Sequence, residues 1–307
     1  MPCPMRKQSQ AYMYGLATVL LWSTVASAFK LSLRTLDVVE LLFFSSLVST
    51  AVLFVFVVLQ KKLILLRTVT QKILAQSLLL GLLNPFSYYL ILFKAYDLLP
   101  AQQAQPLNYT WAITLSLLSV PLLGQRLRPI DLLALFVSYA GVIVISTGGN
   151  VSALTMTSPL GVGLALFSTV VWALYWIANT RDRFDPVVRL FLNFVFGTVY
   201  TAAAWWFSRK THTLPAWSML PGPLYIGVFE MGVTFVLWLK ALKLSQSTAK
   251  VSNLIFLSPF LSLVLIHFLV GEVILPSTLT GLILIVGGIL MQRIGTSRVP
   301  TEPKPRG

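Results

Sequence analysis

The chain alternates between long apolar stretches and short polar breaks over nearly its whole length. Each apolar stretch is poor in charge, long enough for a membrane-spanning helix and too long for a barrel strand. Proline, glycine and charged residues mark the edges of the stretches, as at Pro129 and Pro276. The pattern therefore predicts an all-α integral membrane protein with ten transmembrane helices. The predicted spans are 11–32, 36–59, 73–96, 101–123, 129–147, 158–179, 186–208, 218–242, 247–270 and 276–292.

Composition strengthens this prediction. Hydrophobic residues make up 56% of the 307 residues and charged residues only 10%, whereas soluble domains carry roughly 25% charged residues. A soluble fold of this size would lack the polar surface it needs, so the bilayer must be part of the solvent. Ten spans use about 200 residues, which leaves no room for a second, soluble domain. We expect membrane lipid and a small-molecule solute as partners, and no nucleic acid despite the net charge of +14.

Lysine and arginine are distributed unequally between the two sides of the predicted bundle. With ten spans, 18 of the 23 lysines and arginines fall on the side that holds both termini, and five on the other. Because positive charge favours the cytoplasmic side, we expect residues 1–10 and 293–307 in the cytoplasm and the protein in a bacterial inner membrane. The Pro-rich C-terminal tail is predicted to be disordered. A cleaved signal peptide after Arg6 and Lys7 is an alternative, but we expect an uncleaved first span because the run is long for a signal.

The two halves of the chain are related by an internal repeat. With a shift of 147 residues, the turn at Gly124 falls on the turn at Gly271. Each half has five spans, an odd number, so the second half, 158–292, must cross the membrane in the opposite sense to the first, 11–147. Such inverted repeats are typical of secondary transporters, whose site lies near the midplane between the halves.

Small residues recur in the last span of each half. Ala140-Gly141 falls on Gly287-Gly288 with the same shift. Small residues let helix backbones approach closely in membranes. We therefore expect spans five and ten to pack tightly, either within one chain or across a homodimer.

The repeat carries a resemblance to a known family. Each half ends in a Gly-Gln or Gly-Glu turn with a glycine-containing last helix, in the stretches 122–147 and 257–291. This arrangement resembles the drug/metabolite transporter superfamily, EamA type. The run NYTW at 108–111, followed by Gly-Gln at 124–125, further resembles the aromatic amino-acid exporter branch.

The resemblance implies alternating access around a midplane cavity that is lined by spans 1, 3, 4, 6, 8 and 9, with spans 5 and 10 at the periphery. It also implies export of amino acids or other small amphipathic metabolites. A flippase-like transporter of an amphiphilic, lipid-linked substrate and a drug or cation efflux permease remain alternatives, as does a channel. The sequence holds no enzyme motif, metal-ligand spacing or phosphate-binding glycine loop, so we expect neither an enzyme nor a cofactor or metal.

A carboxylate within an apolar span is the first candidate for the site. Glu230, in IGVFEMGVTF, lies near the midpoint of span eight and departs from the family pattern, as Gln125 does. An unpaired charge there costs about 2.5–3.5 kcal/mol on insertion scales, and such residues usually face a cavity or a partner. We expect Glu230 to couple transport or bind a cation, with a hydrogen-bonded structural role as the alternative. A shift of 146 residues places it opposite Asn84.

Aromatic and amide side chains at similar depth complete the candidate site. Tyr88 lies four residues after Asn84, and Trp176 four after Trp172, so each pair is predicted to share a helix face. Aromatic walls with a few amides suit an aromatic or amphipathic solute, whereas lipid-facing or packing roles are the alternative for each ring. The predicted lining residues are Trp22, Asn84, Tyr88, Asn108, Tyr109, Trp111, Trp172, Trp176 and Asn253.

Overall fold

A computed structural model describes residues 4–124, 129–150, 156–180, 182–208, 215–244 and 253–296. Every regular element in this part of the chain is helical. The helices are α1 (Pro4–Ser32), α2 (Val38–Leu59), α3 (Leu63–Leu66), α4 (Gln71–Gly81), α5 (Tyr88–Leu98), α6 (Ala101–Tyr109), α7 (Trp111–Leu123), α8 (Pro129–Ser146), α9 (Pro159–Thr180), α10 (Pro186–Ser208), α11 (Pro221–Tyr225), α12 (Thr234–Leu244), α13 (Ser258–Leu265) and α14 (Pro276–Thr296).

Seven helical segments in the described residues are long and apolar enough to cross a membrane. They are Gln8–Ser32, Val38–Leu59, Gln71–Leu98, Pro129–Ser146, Pro159–Asn179, Pro186–Ser208 and Trp217–Trp238. Two further apolar helices, Leu254–Val270 and Pro276–Met291, are shorter. The predicted fourth span is divided at Thr110 into α6 and α7. The protein is thus an all-helical membrane protein.

Two of the long segments contain a wide, π-helical turn near their middle. The first, Leu82–Ser87, joins α4 to α5 and contains Pro85, whose missing N–H interrupts the helical hydrogen-bond ladder. The preceding residue, Asn84, has non-helical dihedral angles, φ −147° and ψ 122°. The second, Ile226–Val233, joins α11 to α12 without a proline. There the Thr234 hydroxyl donates to the Phe229 carbonyl, which satisfies a backbone acceptor in the apolar interior.

Helices of the first half contact the second half in the same way as their counterparts in the second half contact the first. Helix α1 packs against α12 and α13, and helix α9 packs correspondingly against α5 and α7. Helix α2 packs against α10, and α8 against α14. The first and sixth predicted spans therefore each pack against helices of the other half in an equivalent way. The interior of the bundle lies between these two spans.

Glycines allow the closest approaches between helices. A Cβ at Gly81 of α4 would lie 2.5 Å from the Asn193 carbonyl oxygen of α10, and one at Gly227 would lie 2.6 Å from the Ser45 carbonyl oxygen of α2. Between α8 and α14, a Cβ at Gly141 would lie 2.5 Å from the Gly281 carbonyl oxygen. The close packing expected between spans five and ten therefore occurs within one chain.

Polar contacts tie helices together at one end of the bundle. Both carboxylate oxygens of Glu272 accept hydrogen bonds from the first turn of α6, at 2.7 Å from the Ala101 N–H and 3.0 Å from the Gln102 N–H. The Gln102 amide in turn donates to the Val273 carbonyl and accepts from the Leu275 N–H. A carboxylate is favourable at a helix N-terminus because four N–H groups there lack helical partners.

Candidate functional site

A cavity of about 290 Å³ lies in the interior of the bundle. Its described lining comes from the predicted spans 1, 3, 4, 6, 8 and 9, and neither α8 nor α14 contributes to it. The lining residues are Trp22, Val25, Ala26, Phe29, Tyr88, Leu92, Tyr96, Gln105, Asn108, Tyr109, Trp111, Leu115, Trp172, Trp176, Glu230, Phe235, Trp238 and Ile255.

Aromatic rings from four helices form a continuous wall of this cavity. The ring of Trp172 from α9 lies 4.5 Å from Tyr88 and 6.0 Å from Phe235, between ring centroids. Trp22 from α1 lies 6.3 Å from Phe235, edge to face, and 5.6 Å from Trp238. Aromatic pairs at these separations attract each other beyond their buried area. The rings therefore support one another and present both faces and edges toward the cavity.

The Asn108 amide links three helices at the cavity surface. The Tyr88 hydroxyl donates to Asn108 Oδ1 at 3.3 Å, and Asn108 Nδ2 donates to the Ser168 hydroxyl at 3.0 Å. Hydrogen bonds between membrane helices are worth roughly 0.6 kcal/mol each. Asn108 thus holds Tyr88 of α5 and Ser168 of α9 against α6.

Glu230 lies in the wide turn between α11 and α12, and one of its oxygens is bound. The Tyr89 hydroxyl donates to Oε1 at 3.1 Å. Oε2 is buried and accepts no hydrogen bond of normal geometry from the described residues, although the Trp22 indole is close to the carboxyl. A buried carboxylate oxygen without a donor is costly, so this cavity-lining carboxyl group retains hydrogen-bonding capacity that its described neighbours do not use.

The structure brings together most of the residues that the sequence nominated. Trp22, Tyr88, Asn108, Tyr109, Trp111, Trp172, Trp176 and Glu230 all line the cavity. The side chain of Asn253 lies outside the described residues.

Asn84 corrects the sequence analysis, because it is fully buried and does not line this cavity. The prediction assumed a regular helix, in which residues four apart share a face. The backbone leaves helical geometry at Asn84 itself, so its side chain does not point in the same direction as Tyr88. Neither polar atom of the amide forms a hydrogen bond of normal geometry with a described residue, although the Tyr175 hydroxyl is close.

Several cavity residues escaped the sequence analysis. Gln105 lies three residues before Asn108, on the same helix face, and that spacing was a usable signal. Trp238 lies eight residues after Glu230, about two helical turns. Tyr89 donates to Glu230 from beside Tyr88. The proximity of Tyr89 to the carboxylate depends on how α5 packs near the wide turn Ile226–Val233, and spacing along the chain does not contain that information.

A second cavity, of about 180 Å³, adjoins the first. Three aromatic residues, Trp176, Phe235 and Trp238, line both cavities and therefore stand between them. The second cavity is lined in addition by Asp182 and Arg189, which form an ion pair. It thus differs from the first in containing a charge of each sign.

Arg189 in this second cavity is fully engaged by its neighbours. The guanidinium donates to the Ile73 carbonyl and the Ser77 hydroxyl, both at 2.9 Å, and to Gln76 Oε1 at 3.2 Å. Together with the Asp182 ion pair, these contacts fasten α4 to the connection between α9 and α10. The arginine therefore has a structural role at this end of the bundle.

Comparisons with known proteins give consistent results. The uncharacterized transporter YvbV of Bacillus subtilis (strain 168) is 29% identical over 220 residues, which cover 69% of this chain and 69% of that protein. The aromatic amino acid exporter YddG of Ancylobacter novellus is 25% identical over 160 residues. That match covers 52% of this chain and 55% of the exporter, so it spans about half the length of the relative.

Solved structures and family models extend the similarity to nearly the whole chain. One crystal structure shares the fold with a TM-score of 0.64 at 23% identity, covering 95% of this chain and 99% of the other. At that identity the likeness concerns the fold alone. The EamA-like transporter family matches both residues 9–147 and residues 159–293. With most of its length matched in two successive segments, this chain belongs to the EamA-like transporter family.

Proposed function

We propose that the protein is a secondary transporter that exports small amphipathic metabolites, amino acids among them, by alternating access. The observation that carries this proposal is the interior cavity of about 290 Å³, whose described lining comes from both halves of the chain. Ligand cavities range from about 300 to 1,000 Å³, so this one suits a small solute. The exporter YddG among the relatives supports export as the direction.

The proposed architecture is ten spans in two inverted halves, with both termini in the cytoplasm of a bacterial cell. The exchange of helix contacts supports it, because α1 meets α12 and α13 as α9 meets α5 and α7. The wide turns Leu82–Ser87 and Ile226–Val233 occupy equivalent spans. Gly124 and Gly271 both end their helices in the left-handed conformation, with φ of 69° and 82°. Inverted halves make two opposite openings of one cavity equivalent by symmetry.

We assign the solute's apolar body to the aromatic wall and its polar group to the few polar side chains. Trp22, Trp111 and Trp172 supply flat faces and edges, while Asn108 and Glu230 supply hydrogen-bonding groups. In this proposal Glu230 is also the coupling residue, because an intramembrane carboxylate at a cavity marks a substrate or proton path.

Counterflow in proteoliposomes tests the transport proposal. Vesicles loaded with one unlabelled candidate from a panel of amino acids and their amines are diluted into the same labelled compound. We expect transient, saturable accumulation of at least one compound, because a carrier exchanges solute across the membrane faster than net flux dissipates the gradient. Trp172→Ala should reduce this accumulation, whereas Trp217→Ala should not, since Trp217 is 88% exposed and lies outside the cavity.

Each rival function gives a different result in this assay. Non-saturating uptake without counterflow would indicate a channel. Movement restricted to lipid-linked compounds would indicate a flippase. Either result would contradict the proposal, provided that a thermal melting transition shows the reconstituted protein to be folded.

A further inference from the structure

The charge of the interior cavity is set by one residue. Among the described residues that line it, Glu230 is the only aspartate, glutamate, lysine, arginine or histidine. Its Oε1 is bound by Tyr89, but its buried Oε2 has no hydrogen bond of normal geometry from the described residues. A cationic donor in the cavity would lie beside this carboxyl group and offset its charge.

The rings around Glu230 are suited to the same kind of group. The negative face of an aromatic ring attracts a cation within about 6 Å, most strongly for tryptophan and in sites that exclude water. Trp176 and four further tryptophan rings line the cavity, together with tyrosine and phenylalanine rings. Trp22 lies close to the carboxyl and contacts Trp238 at 5.6 Å. A cation bound at Glu230 would therefore have aromatic rings beside it.

No cationic side chain among the described lining residues is available to pair with a solute carboxylate. Arg189 in the neighbouring cavity is neutralised by Asp182 and donates to α4. Lys30 donates to the Tyr96 and Leu99 carbonyl oxygens, both at 2.8 Å, at the end of α5. A solute with a carboxylate would have to bury that charge beside Glu230, which is unfavourable because like charges repel in a low-dielectric site.

We propose that the preferred solute is a small organic cation, an amine without a free carboxylate, whose ammonium group binds between Glu230 and the aromatic rings around it. The cavity volume restricts the solute to roughly one or two rings or a short chain. This inference rests on the proposed transport function and narrows its solute class from amphipathic metabolites to amines.

Binding of a matched indole series to the purified full-length protein tests the inference. Tryptamine carries an ammonium group, tryptophol is neutral, tryptophan is a zwitterion and indole-3-propionate is an anion, while the ring stays the same. We expect tryptamine to bind about tenfold tighter than tryptophol, and tryptophan and indole-3-propionate to bind more weakly than tryptophol. A phenethylamine series with the same four end groups repeats the comparison for a smaller ring.

A charge-neutral variant identifies the residue responsible. In Glu230→Gln we expect tryptamine and tryptophol to bind about equally, and retained tryptophol binding shows that the cavity is intact. Asp97→Asn removes an exposed carboxylate that pairs with Lys94 at 2.6 Å, and it should keep the full preference for tryptamine.

Three results would overturn the inference. They are tryptophan or indole-3-propionate binding as well as tryptamine, an amine preference that survives in Glu230→Gln, and no amine binding in either series. Counterflow separates this failure from that of the transport proposal. Saturable exchange of a zwitterion or an anion would contradict the amine preference but support the carrier function. Tight amine binding without any exchange would contradict the carrier function but support the amine site.

Discussion

Buried polar side chains in the interior of the bundle differ in how completely they are paired. Asn108 uses both ends of its amide, toward Tyr88 and Ser168, and so contributes to helix packing. Glu230 uses one oxygen and leaves the other without a hydrogen bond of normal geometry from the described residues. Complete pairing is what a structural polar group needs in an apolar interior. At the cavity surface, Gln105 and Glu230 each have an oxygen without such a hydrogen bond, and Glu230 is the one of the two that can carry a charge.

An ion pair outside the membrane-spanning segments stabilises one end of the bundle. Lys62 Nζ lies 2.7 Å from an Asp185 carboxylate oxygen and joins the end of α2 to the start of α10. Burial by itself would raise the pKa of Asp185, but the Lys62 hydrogen bond, the Val188 and Val187 N–H groups and the charge of Lys62 outweigh it. The pKa of Asp185 is therefore lower than its ordinary value.

We expect the stability contributed by Asp185 to depend on pH in one direction. A carboxyl whose pKa is lower in the folded than in the unfolded protein stabilises the fold above the unfolded pKa, about 3.9, and loses this effect as the pH falls through the folded pKa. Asp185→Asn should therefore lower the melting temperature at pH 7. The loss in free energy of unfolding should not exceed about 1 kcal/mol, because the pair is partly exposed.

Melting of the wild type and Asp185→Asn from pH 7 to pH 3 checks this expectation. The difference between the two should shrink below about pH 4. Asp97→Asn, which removes an exposed carboxylate, serves as the control and should show a smaller difference throughout. A difference that stays constant down to pH 3 would contradict the assignment to Asp185.

Two helix irregularities in the described residues, Leu82–Ser87 and Ile226–Val233, coincide with helix contacts, and the second of them reaches the cavity. The wide turn Ile226–Val233 contains Glu230, and Gly227 within it packs against the Ser45 carbonyl of α2. Backbone distortion at membrane depth is tolerated only where it is buried in protein or lines a cavity. The wide turn that contains Glu230 therefore lies in the interior, whereas α8 and α14 remain regular and pack against each other.

An added methyl group should disturb the contact between α8 and α14 at Gly288 but not at the adjacent Gly287. A Cβ at Gly288 would lie 2.6 Å from the Ala134 carbonyl oxygen, whereas a Cβ at Gly287 has no other heavy atom within 4 Å. Gly288→Ala should destabilise the protein by about 1–3 kcal/mol, since a packed interface must shift to accommodate it. Gly287→Ala should be neutral or slightly stabilising because alanine favours helix.

Unfolding of both variants in mixed detergent micelles measures the difference. The two positions are adjacent and carry the same substitution, so the comparison cancels any general effect of alanine. Equal stability of Gly288→Ala and Gly287→Ala would contradict direct packing of these two helices within one chain.

At the scale of the whole molecule, the exchange of contacts between halves bears on how the chain crosses the membrane. An element in one half packs against the other half as its counterpart does, which is what a twofold relation between two repeats produces. The proposed ten-span topology places the connection between α3 and α4 and the connection between α8 and α9 on opposite sides of the membrane. Membrane sidedness of the loops is therefore the direct test of the proposed ten-span topology.

Cysteine labelling in intact cells provides this test. Cys3 is the only cysteine of the chain, so Cys3→Ser gives a background free of cysteine. In that background, a membrane-impermeant maleimide should label Met156→Cys, between α8 and α9, without permeabilisation. Thr68→Cys, between α3 and α4, should be labelled only after permeabilisation because it lies with the lysine-rich loops. Labelling of both from the same side would contradict the topology.

Parts of the candidate site were predictable from residue type and spacing. Trp172 and Trp176 share a face because regular helix surrounds them, and both reach the cavity. The same rule failed for Asn84, where the backbone is not helical. The same spacing places Gln105 on the helix face of Asn108, three residues away, and both reach the cavity. No spacing rule could connect Tyr89 to Glu230, which lie 141 residues apart in sequence.

The sequence by itself determined that this is an all-helical membrane protein, because length and apolarity of a segment suffice to specify a membrane helix. Its internal repeat indicated the transporter class. It also determined that a carboxylate lies deep in an apolar segment. Only the tertiary structure decided which side chains meet in the cavity, since helix breaks rotate faces and inter-helix packing sets every contact distant in sequence. That packing left Glu230 with one satisfied oxygen among aromatic rings, a chemical environment that no local pattern of residues contains.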